Sequence, residues 1–196
     1  MACTIVIVQH AEKESTPGDP GLTPLGRRQA EQIAAHVSGI GRAAGLFSSP
    51  LLRAVETAGP IAQAIGLRVV KDDRVLERMN WEGGPTQSLE SFLEDWKRTT
   101  RERDFRPAAG DSSNDAALRF RSFLEDLDSQ GLVIVVSHGG VTCDLLRDLI
   151  GDDQLRARNP ELIESGVPSA ALTTLARDKH GWEVIDIAST DHLPGI

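Results

Sequence analysis

The chain has 196 residues, of which 40% are hydrophobic and 26% are charged, and this composition predicts one globular domain over residues 1–196. Its formal net charge of −8 at pH 7 argues against nucleic acid or an anionic membrane as the main partner. The first apolar run, over 2–8, is too short to be a signal peptide or a membrane span.

Strand-like and helix-like segments alternate along the chain. The expected strands cover 4–8, 45–47, 68–70, 132–136, 170–176 and 182–187, and the expected helices cover 24–38, 50–65, 86–102, 112–129 and 140–150. This alternation predicts an α/β fold with a mainly parallel sheet and helices on both of its faces. Pro60 predicts a kink in the second helix. Two cysteines are too few for a disulfide framework and indicate a reducing compartment, so we expect a cytoplasmic protein.

Two histidines follow the strands that are richest in β-branched residues. His10 follows the run over 4–9, and His138 follows the run over 132–137. Ligands of open α/β sheets bind in the crevice beyond the carboxyl ends of the strands. The two histidines are therefore expected to meet at that edge.

Arg53 stands at an unusual position for a stabilising arginine. Ser49 is a plausible N-cap and Pro50 fits the first position of the second helix, which places Arg53 in the first turn. A guanidinium there lies near the positive end of the helix dipole and adds to the anion affinity of the helix end. We therefore interpret Arg53 as a phosphate ligand.

Several spaced motifs resemble those of the histidine phosphatase superfamily, also called the phosphoglycerate-mutase-like family. The motifs are Gln9-His10-Ala11-Glu12, the helix entry over 22–30, the segment Ser48-Ser49-Pro50 through Ala58, Leu76-Glu77-Arg78 through Gly83, and Ser137-His138-Gly139-Gly140. The resemblance implies a three-layer α/β/α sandwich. It also implies a phosphomonoesterase that acts on a small phosphorylated substrate without a metal or another cofactor.

The resemblance also implies the roles of individual residues. His10 matches the nucleophile that becomes phosphohistidine, and Glu77 matches the general acid that later acts as base on water. Arg53 and Gly139 are expected to bind the phosphate, together with His138, which would add a positive charge if it were protonated. Glu82 is the rival acid, although its position in the motif favours Glu77.

Gln9 departs from the family pattern, which has an arginine at this position. Its amide is a neutral donor, so the charge-assisted part of a phosphate contact is lost. Either Lys13 or Arg78 supplies the missing charge, or the site is weakened. We favour the first account, because the other catalytic elements are present.

Five further side chains carry weaker expectations. We interpret Trp81 and Trp96 as packing residues. His192 is either a structural residue or a phosphate contact, and Arg27 is a candidate for the rim of the pocket along with Thr16.

Three alternative functions stay open. A phosphoglycerate-mutase-type transferase is disfavoured by the short region between Glu77 and Gly110, because a mutase caps its site against water. A non-catalytic binder of a phosphorylated ligand is motivated by Gln9. A metallohydrolase using His10, Glu12 and His138 lacks the usual ligand spacing. The sequence leaves phosphosugar, phosphoprotein and nucleotide substrates open and gives no sign of the oligomeric state.

Overall fold

The computed structural model describes residues 3–84, 87–128 and 131–193. Its strands are β1 (Cys3–Gln9), β2 (Ala43–Ser48), β3 (Val70–Lys71), β4 (Gly131–Ser137), β5 (Leu172–Asp178) and β6 (Gly181–Ser189). Its helices are α1 (Pro24–Ile40), α2 (Leu52–Ile65), α3 (Leu89–Arg101), α4 (Ser113–Glu125), α5 (Gly139–Arg158) and α6 (Leu162–Ser165), and a single 3₁₀ turn covers Asp73–Val75.

These strands form one sheet in the order β3-β2-β4-β1-β5-β6. Strands β3, β2, β4 and β1 run parallel, whereas β5 and β6 form an antiparallel hairpin that joins the edge of β1. The predicted α/β/α sandwich with a mainly parallel sheet is therefore confirmed.

The central strands are buried on both faces, which explains their nearly continuous apolar sequences. In β1, Ile5 and Ile7 pack into a core with α4 and α5, whereas Val6 and Val8 pack into a second core with α1 and α2. The strands are thus fixed from both sides, and so are the residues that follow their carboxyl ends.

Several local expectations differ from the structure. The second helix begins at Leu52, two residues later than predicted, and runs to Ile65 with Pro60 inside it, while the kink at Pro60 stays a prediction. The last long helix extends beyond its predicted end to Arg158, with a break at Gly151 (φ 78°, ψ 159°), a conformation that glycine tolerates. Across the part of the chain that the structure describes, no helix has both the length and the apolar character needed to cross a membrane.

Candidate active site

The pairing of β1 with β4 brings the two histidines together. Gln9 is in register with Ser137, so the residues that follow them leave the sheet side by side. The His10 amide donates to the Ser137 carbonyl at 3.0 Å, and the ring centroids of His10 and His138 lie 5.2 Å apart at an interplanar angle of 62°. The meeting that we expected from the two strand ends is therefore present.

His10 has the hydrogen bonding of a neutral ring with one exposed lone pair. Its Nδ1 lies 2.8 Å from the Ala11 carbonyl, which can only accept, so Nδ1 carries the proton and Nε2 carries the lone pair. Burial, and then the positive charge of Arg53, lower the pKa of His10 to about 3. At neutral pH the ring is uncharged and Nε2 is available for nucleophilic attack.

His138 is fully buried, and its Nε2 lies 2.7 Å from the Ser49 hydroxyl oxygen. Its Nδ1 has no hydrogen-bond partner among the described residues. Burial is the main cause that holds its pKa well below the usual histidine range, followed by electrostatic coupling to His10 and by the positive charge of Arg53. A protonated His138 was one expectation, but the free site holds the ring neutral.

Ser49 is not the cap of the second helix. Its hydroxyl is committed to His138, a tertiary contact that the local sequence does not show. The helix begins at Leu52, whose amide donates to the Asp19 carboxylate at 2.8 Å and 3.0 Å. A carboxylate from a distant loop therefore caps this helix.

Arg53 nevertheless lies in the first turn of the second helix, as the sequence predicts. Its side chain is only 3% exposed, yet its Nε and Nη1 have no hydrogen-bond partner among the described residues. The nearest carboxylate is that of Asp19, 3.9 Å from Nη1. Buried guanidinium donors without partners are costly unless an anion fills them, which marks this position as an anion site.

A cavity of about 520 Å³ opens beside these residues. Four side chains form what we call the charged end of the cavity, namely His10, Lys13, Arg53 and Glu77. Six others form what we call the apolar wall, namely Met79, Trp81, Leu89, Phe92, Leu93 and Trp96. The rest of the lining includes Thr16, an expected rim residue. Arg27, the other expected rim residue, instead pairs with Glu56 on the surface.

Glu77 is held by the first turn of α5. Its Oε1 accepts from the amides of Arg78 and Val141, both at 2.8 Å, and its Oε2 accepts from the Gly140 amide at 3.0 Å. Glu77 therefore occupies the Gly140 amide, which is not free for a phosphate. A Cβ at Gly140 would lie 2.6 Å from the Glu77 Oε1, so only glycine permits this approach.

Gln9 and Gly139 lie beside each other and do not line the cavity. Gln9 is 6% exposed, and its Oε1 has no partner among the described residues. A Cβ at Gly139 would lie 3.4 Å from the Gln9 Nε2 and 3.0 Å from the Val167 carbonyl. His138 is likewise absent from the lining, because the ring is completely covered.

Of the two candidate substitutes for the missing arginine, the structure brings only Lys13 to the cavity. The Lys13 Nζ donates to the Glu14 carbonyl at 3.2 Å, and burial followed by the charge of Arg53 lowers the lysine pKa. Arg78 is instead committed to Asp144, with Nη1 2.9 Å from a carboxylate oxygen. Although Arg78 is adjacent to Glu77 in the sequence, its side chain is not part of the cavity lining. The sequence position alone therefore did not predict where its charge lies.

Three other expectations can be placed. Glu82 accepts from the Asn80 side chain at 2.8 Å and is not in the cavity lining, which leaves Glu77 as the acid candidate. The His192 ring lies 5.2 Å from that of His36 and also outside the lining. Trp81 and Trp96, which we interpreted as packing residues, line the cavity.

The geometry does not favour a metal site built from His10, Glu12 and His138. The Glu12 carboxylate accepts from the Thr23 hydroxyl at 2.7 Å. Within 3–84, 87–128 and 131–193, no group of three or more His, Cys, Asp and Glu side chains is arranged to hold a metal ion.

Sequence reasoning missed most of the apolar wall, although a signal was present. Leu89, Phe92, Leu93 and Trp96 follow the spacing i, i+3, i+4 and i+7, which places them on one face of α3. That spacing is the same for a helix that faces a core and for one that faces a cavity. The pattern therefore identifies the face but not what covers it.

The fold and the paired histidines define an α/β protein with a candidate anion site at the carboxyl edge of its sheet. The chain belongs to the histidine phosphatase superfamily, because the family model of branch 1 of this superfamily matches residues 5–190. This membership confirms the resemblance found in the sequence motifs.

Individual proteins show the same relationship. The chain is 32% identical to Phosphoserine phosphatase 1 of Hydrogenobacter thermophilus over 148 residues, covering 68% of this chain and 70% of that one. It is 32% identical to Probable phosphoglycerate mutase GpmB of Yersinia enterocolitica over 188 residues, covering 89% and 84%. Some mycobacterial relatives that are 31% identical are longer, and the chain spans 40% of their length.

Solved structures share the fold. The native structure of mycobacterial glucosyl-3-phosphoglycerate phosphatase Rv2419c superposes with a TM-score of 0.76 at 24% identity, covering 97% of this chain and 100% of that one.

Proposed function

We propose that residues 1–196 act as one domain that hydrolyses phosphomonoesters without a metal, through a phosphohistidine on His10. The observation that carries this proposal is the set of unfilled buried donors on Arg53 beside the free Nε2 of a neutral His10. A phosphoryl group fits both features, because it accepts hydrogen bonds on its oxygens while its phosphorus accepts the nucleophile.

In the first step, Nε2 of His10 forms a bond to phosphorus as the bond from phosphorus to the ester oxygen breaks. Arg53 and Lys13 stabilise the negative charge that spreads over the phosphoryl oxygens. The departing oxygen takes a proton from Glu77. Oε2 is the better site for that proton, because it accepts only one amide whereas Oε1 accepts two.

In the second step, water attacks phosphorus and gives its proton to Glu77. The bond from phosphorus to Nε2 breaks, which frees inorganic phosphate and the neutral His10 ring. Both steps use the same oxygens and the same cations, so the enzyme returns to its starting state.

His138, whose ring is covered in the free protein, is proposed to donate a hydrogen bond to the phosphoryl group after a small shift at the charged end uncovers its Nδ1. The buried Ser49 hydroxyl accepts from the Leu51 amide at 3.3 Å and has His138 Nε2 as its near acceptor. Ser49 therefore donates to Nε2, which puts the ring proton on Nδ1. This Nδ1–H is the atom without a partner among the described residues.

The nucleophile is tested by trapping the intermediate. Wild-type protein quenched during turnover should carry phosphate in an acid-labile, alkali-stable bond on His10, and His10→Ala should lose both the label and the turnover while keeping its fold. His36→Ala is the matched control, because His36 is an exposed histidine outside the cavity. Full activity in His10→Ala, or phosphate on serine or threonine, would contradict the assignment.

The role of Glu77 as the general acid is tested by comparing substrates with different leaving groups. Glu77→Gln should slow alkyl phosphates by about 10²–10⁴, because their alkoxides need a proton, and should slow aryl phosphates much less. Glu82→Gln should behave like wild type on both substrates. Equal losses on both substrates in Glu77→Gln would indicate a binding role instead.

Two other functions are separated from hydrolysis by the same preparation. A mutase would transfer phosphate to phosphoglycerate faster than to water, which a transfer assay measures directly. A non-catalytic binder, the alternative that Gln9 motivates, would form no phosphoenzyme with any phosphomonoester.

A further inference from the structure

The two ends of the cavity differ in chemistry. The charged end holds the nucleophile, the acid and two cations, whereas the apolar wall consists of six hydrocarbon, thioether or indole side chains. The cavity volume of about 520 Å³ falls within the range of small-molecule sites, about 300–1,000 Å³. A phosphoryl group at the charged end therefore leaves the rest of the space for the organic part of a substrate.

The apolar wall exposes surface that a soluble helix normally hides. Leu89 and Leu93 are 48% and 43% exposed, although they share a face with the partly buried Phe92 and Trp96. Contiguous exposed apolar surface on the rim of a cavity is typical of a ligand-binding groove. Covering it would stabilise the complex in proportion to the apolar area removed from water.

The wall is joined directly to the reacting groups. A Cβ at Gly140 would lie 2.6 Å from both the Glu77 Oε1 and the Trp96 ring, so acid and indole meet over this glycine. The Arg78 guanidinium stacks on Trp96 at 4.1 Å from the ring centroid and fixes its position. An ester oxygen protonated by Glu77 therefore has its first carbons next to Trp96.

The wall offers no cation for a second anionic group. The only cationic side chains among the described lining residues are Lys13 and Arg53, and both lie at the charged end. The residues outside the described ranges carry no charged side chain in the sequence. A substrate carboxylate placed against the wall would lose its hydration without gaining a cationic partner, because the donor there that lacks a partner among the described residues, the Trp81 indole N–H, is neutral.

We propose that the organic part of the substrate is apolar, so that the enzyme prefers monoesters of alkyl or aryl-alkyl alcohols over phosphorylated amino acids and phosphorylated acids. This inference rests on the proposed phosphomonoesterase function and specifies the substrate class of the same site. The apolar wall binds the hydrocarbon while the charged end binds the phosphate.

A series of n-alkyl phosphates from ethyl to hexyl tests the wall with nearly constant leaving-group chemistry. We expect kcat/KM to rise about threefold for each added methylene until the cavity is filled. Hexyl phosphate should then exceed phosphoserine and 3-phosphoglycerate by tenfold or more. Constant kcat/KM along the series, or a preference for either acid, would overturn the proposal while leaving hydrolysis intact.

Variants of the apolar wall test whether the dependence of kcat/KM on chain length arises there. Phe92→Ala and Leu93→Ala should flatten the dependence on chain length, with a larger loss of kcat/KM for hexyl phosphate than for ethyl phosphate. The matched control is Leu118→Ala, which removes a 57% exposed leucine from α4, outside the cavity lining. An unchanged slope in both wall variants would place the hydrocarbon elsewhere.

Binding of phosphonates separates this inference from the catalytic proposal, because phosphonates are not hydrolysed. Calorimetry should show Kd falling from ethylphosphonate to hexylphosphonate, and 3-phosphonopropionate should bind at least tenfold more weakly than butylphosphonate. This order of affinities would support the proposed binding of hydrocarbon by the apolar wall even if no phosphohistidine formed. The reverse order of affinities would contradict that proposal even if the protein were an active phosphatase.

Discussion

Two arginines are equally buried but have opposite surroundings. Arg53 and Arg78 are each 3% exposed. The guanidinium of Arg78 pairs with Asp144 at 2.9 Å, donates to the Thr100 hydroxyl at 2.6 Å and stacks on Trp96. Arg53 has two nitrogens without a partner in the described part of the chain and a carboxylate no nearer than 3.9 Å. Burial alone therefore does not distinguish a structural arginine from a ligand-binding one.

The two arginines differ in the source of the anion that pairs with the guanidinium. The protein supplies it for Arg78, so this ion pair contributes to the folded structure. For Arg53 we propose that the substrate supplies it, so the free protein bears the cost of an unfilled buried charge. Removing each arginine should consequently affect different properties of the protein.

The largest expected effect is the loss of stability in Arg78→Ala. This variant leaves the Asp144 carboxylate buried without its partner, which typically costs about 3–5 kcal/mol in the free energy of unfolding. Urea unfolding measures it. The double variant Arg78→Met with Asp144→Leu should recover much of the loss, because it removes both charges. An unchanged urea midpoint in Arg78→Ala would contradict the conclusion that Arg78, unlike Arg53, stabilises the folded structure.

The next effect is the loss of activity in Arg53→Ala. Removing a preorganised donor to the transition state typically costs about 10²–10³ in rate, so kcat/KM should fall by that factor. The free energy of unfolding should stay level or rise, because an unfilled buried charge is removed. Steady-state kinetics and urea unfolding on the same preparation test both statements. A marked loss of stability would show that Arg53 is a structural residue as well.

A smaller effect is expected at Lys13, the lysine that we propose replaces the missing arginine charge. Lys13→Ala should lower kcat/KM about ten- to a hundredfold, the range of one charge-assisted hydrogen bond. Gln9→Arg should leave kcat/KM level or lower, because its cation competes with Lys13. A gain of tenfold or more in Gln9→Arg, with Lys13→Ala near wild type, would instead identify a weakened site.

Counted for each ring and each pH unit, the smallest expected effect is on the pH dependence of stability. The folded pKa values of His10 and His138 are lowered, with His10 at about 3, so the unfolded chain takes up protons near pH 6.5 that the folded chain refuses. Stability therefore falls on acidification from about pH 6.5 towards pH 3, by up to about 1.4 kcal/mol per pH unit for each ring.

The two arginines should differ in their influence on that slope. The charge of Arg53 contributes to the lowered pKa of both histidines, so Arg53→Met should make the loss on acidification smaller. Arg78→Met should also change the slope, but through Asp144, whose pKa burial raises to about 6 while the charge of Arg78 lowers it. Urea unfolding of Arg53→Met and of the wild type from pH 7 down to pH 3 measures the total loss of stability, and equal losses would contradict this view of Arg53.

The sequence predicts what depends on local patterns. Runs of β-branched residues identify β1 and β4, and the parallel pairing of two such strands is enough to bring His10 and His138 together. Ser49 and Arg78 show where this reasoning fails. Their local positions suggest a helix cap and a pocket cation, but tertiary partners, His138 and Asp144, determine where the side chains go.

One consequence of the arrangement of α3 concerns how such an enzyme can diversify. The reacting groups come from four separated stretches of the chain, whereas four of the six wall side chains come from this one helix of 13 residues. Mutations confined to Leu89, Phe92 and Leu93 leave the phosphate chemistry in place, because none of the three bonds to a reacting group. A lineage can therefore acquire new substrates by changing a short continuous piece of its gene, with the chemistry inherited intact.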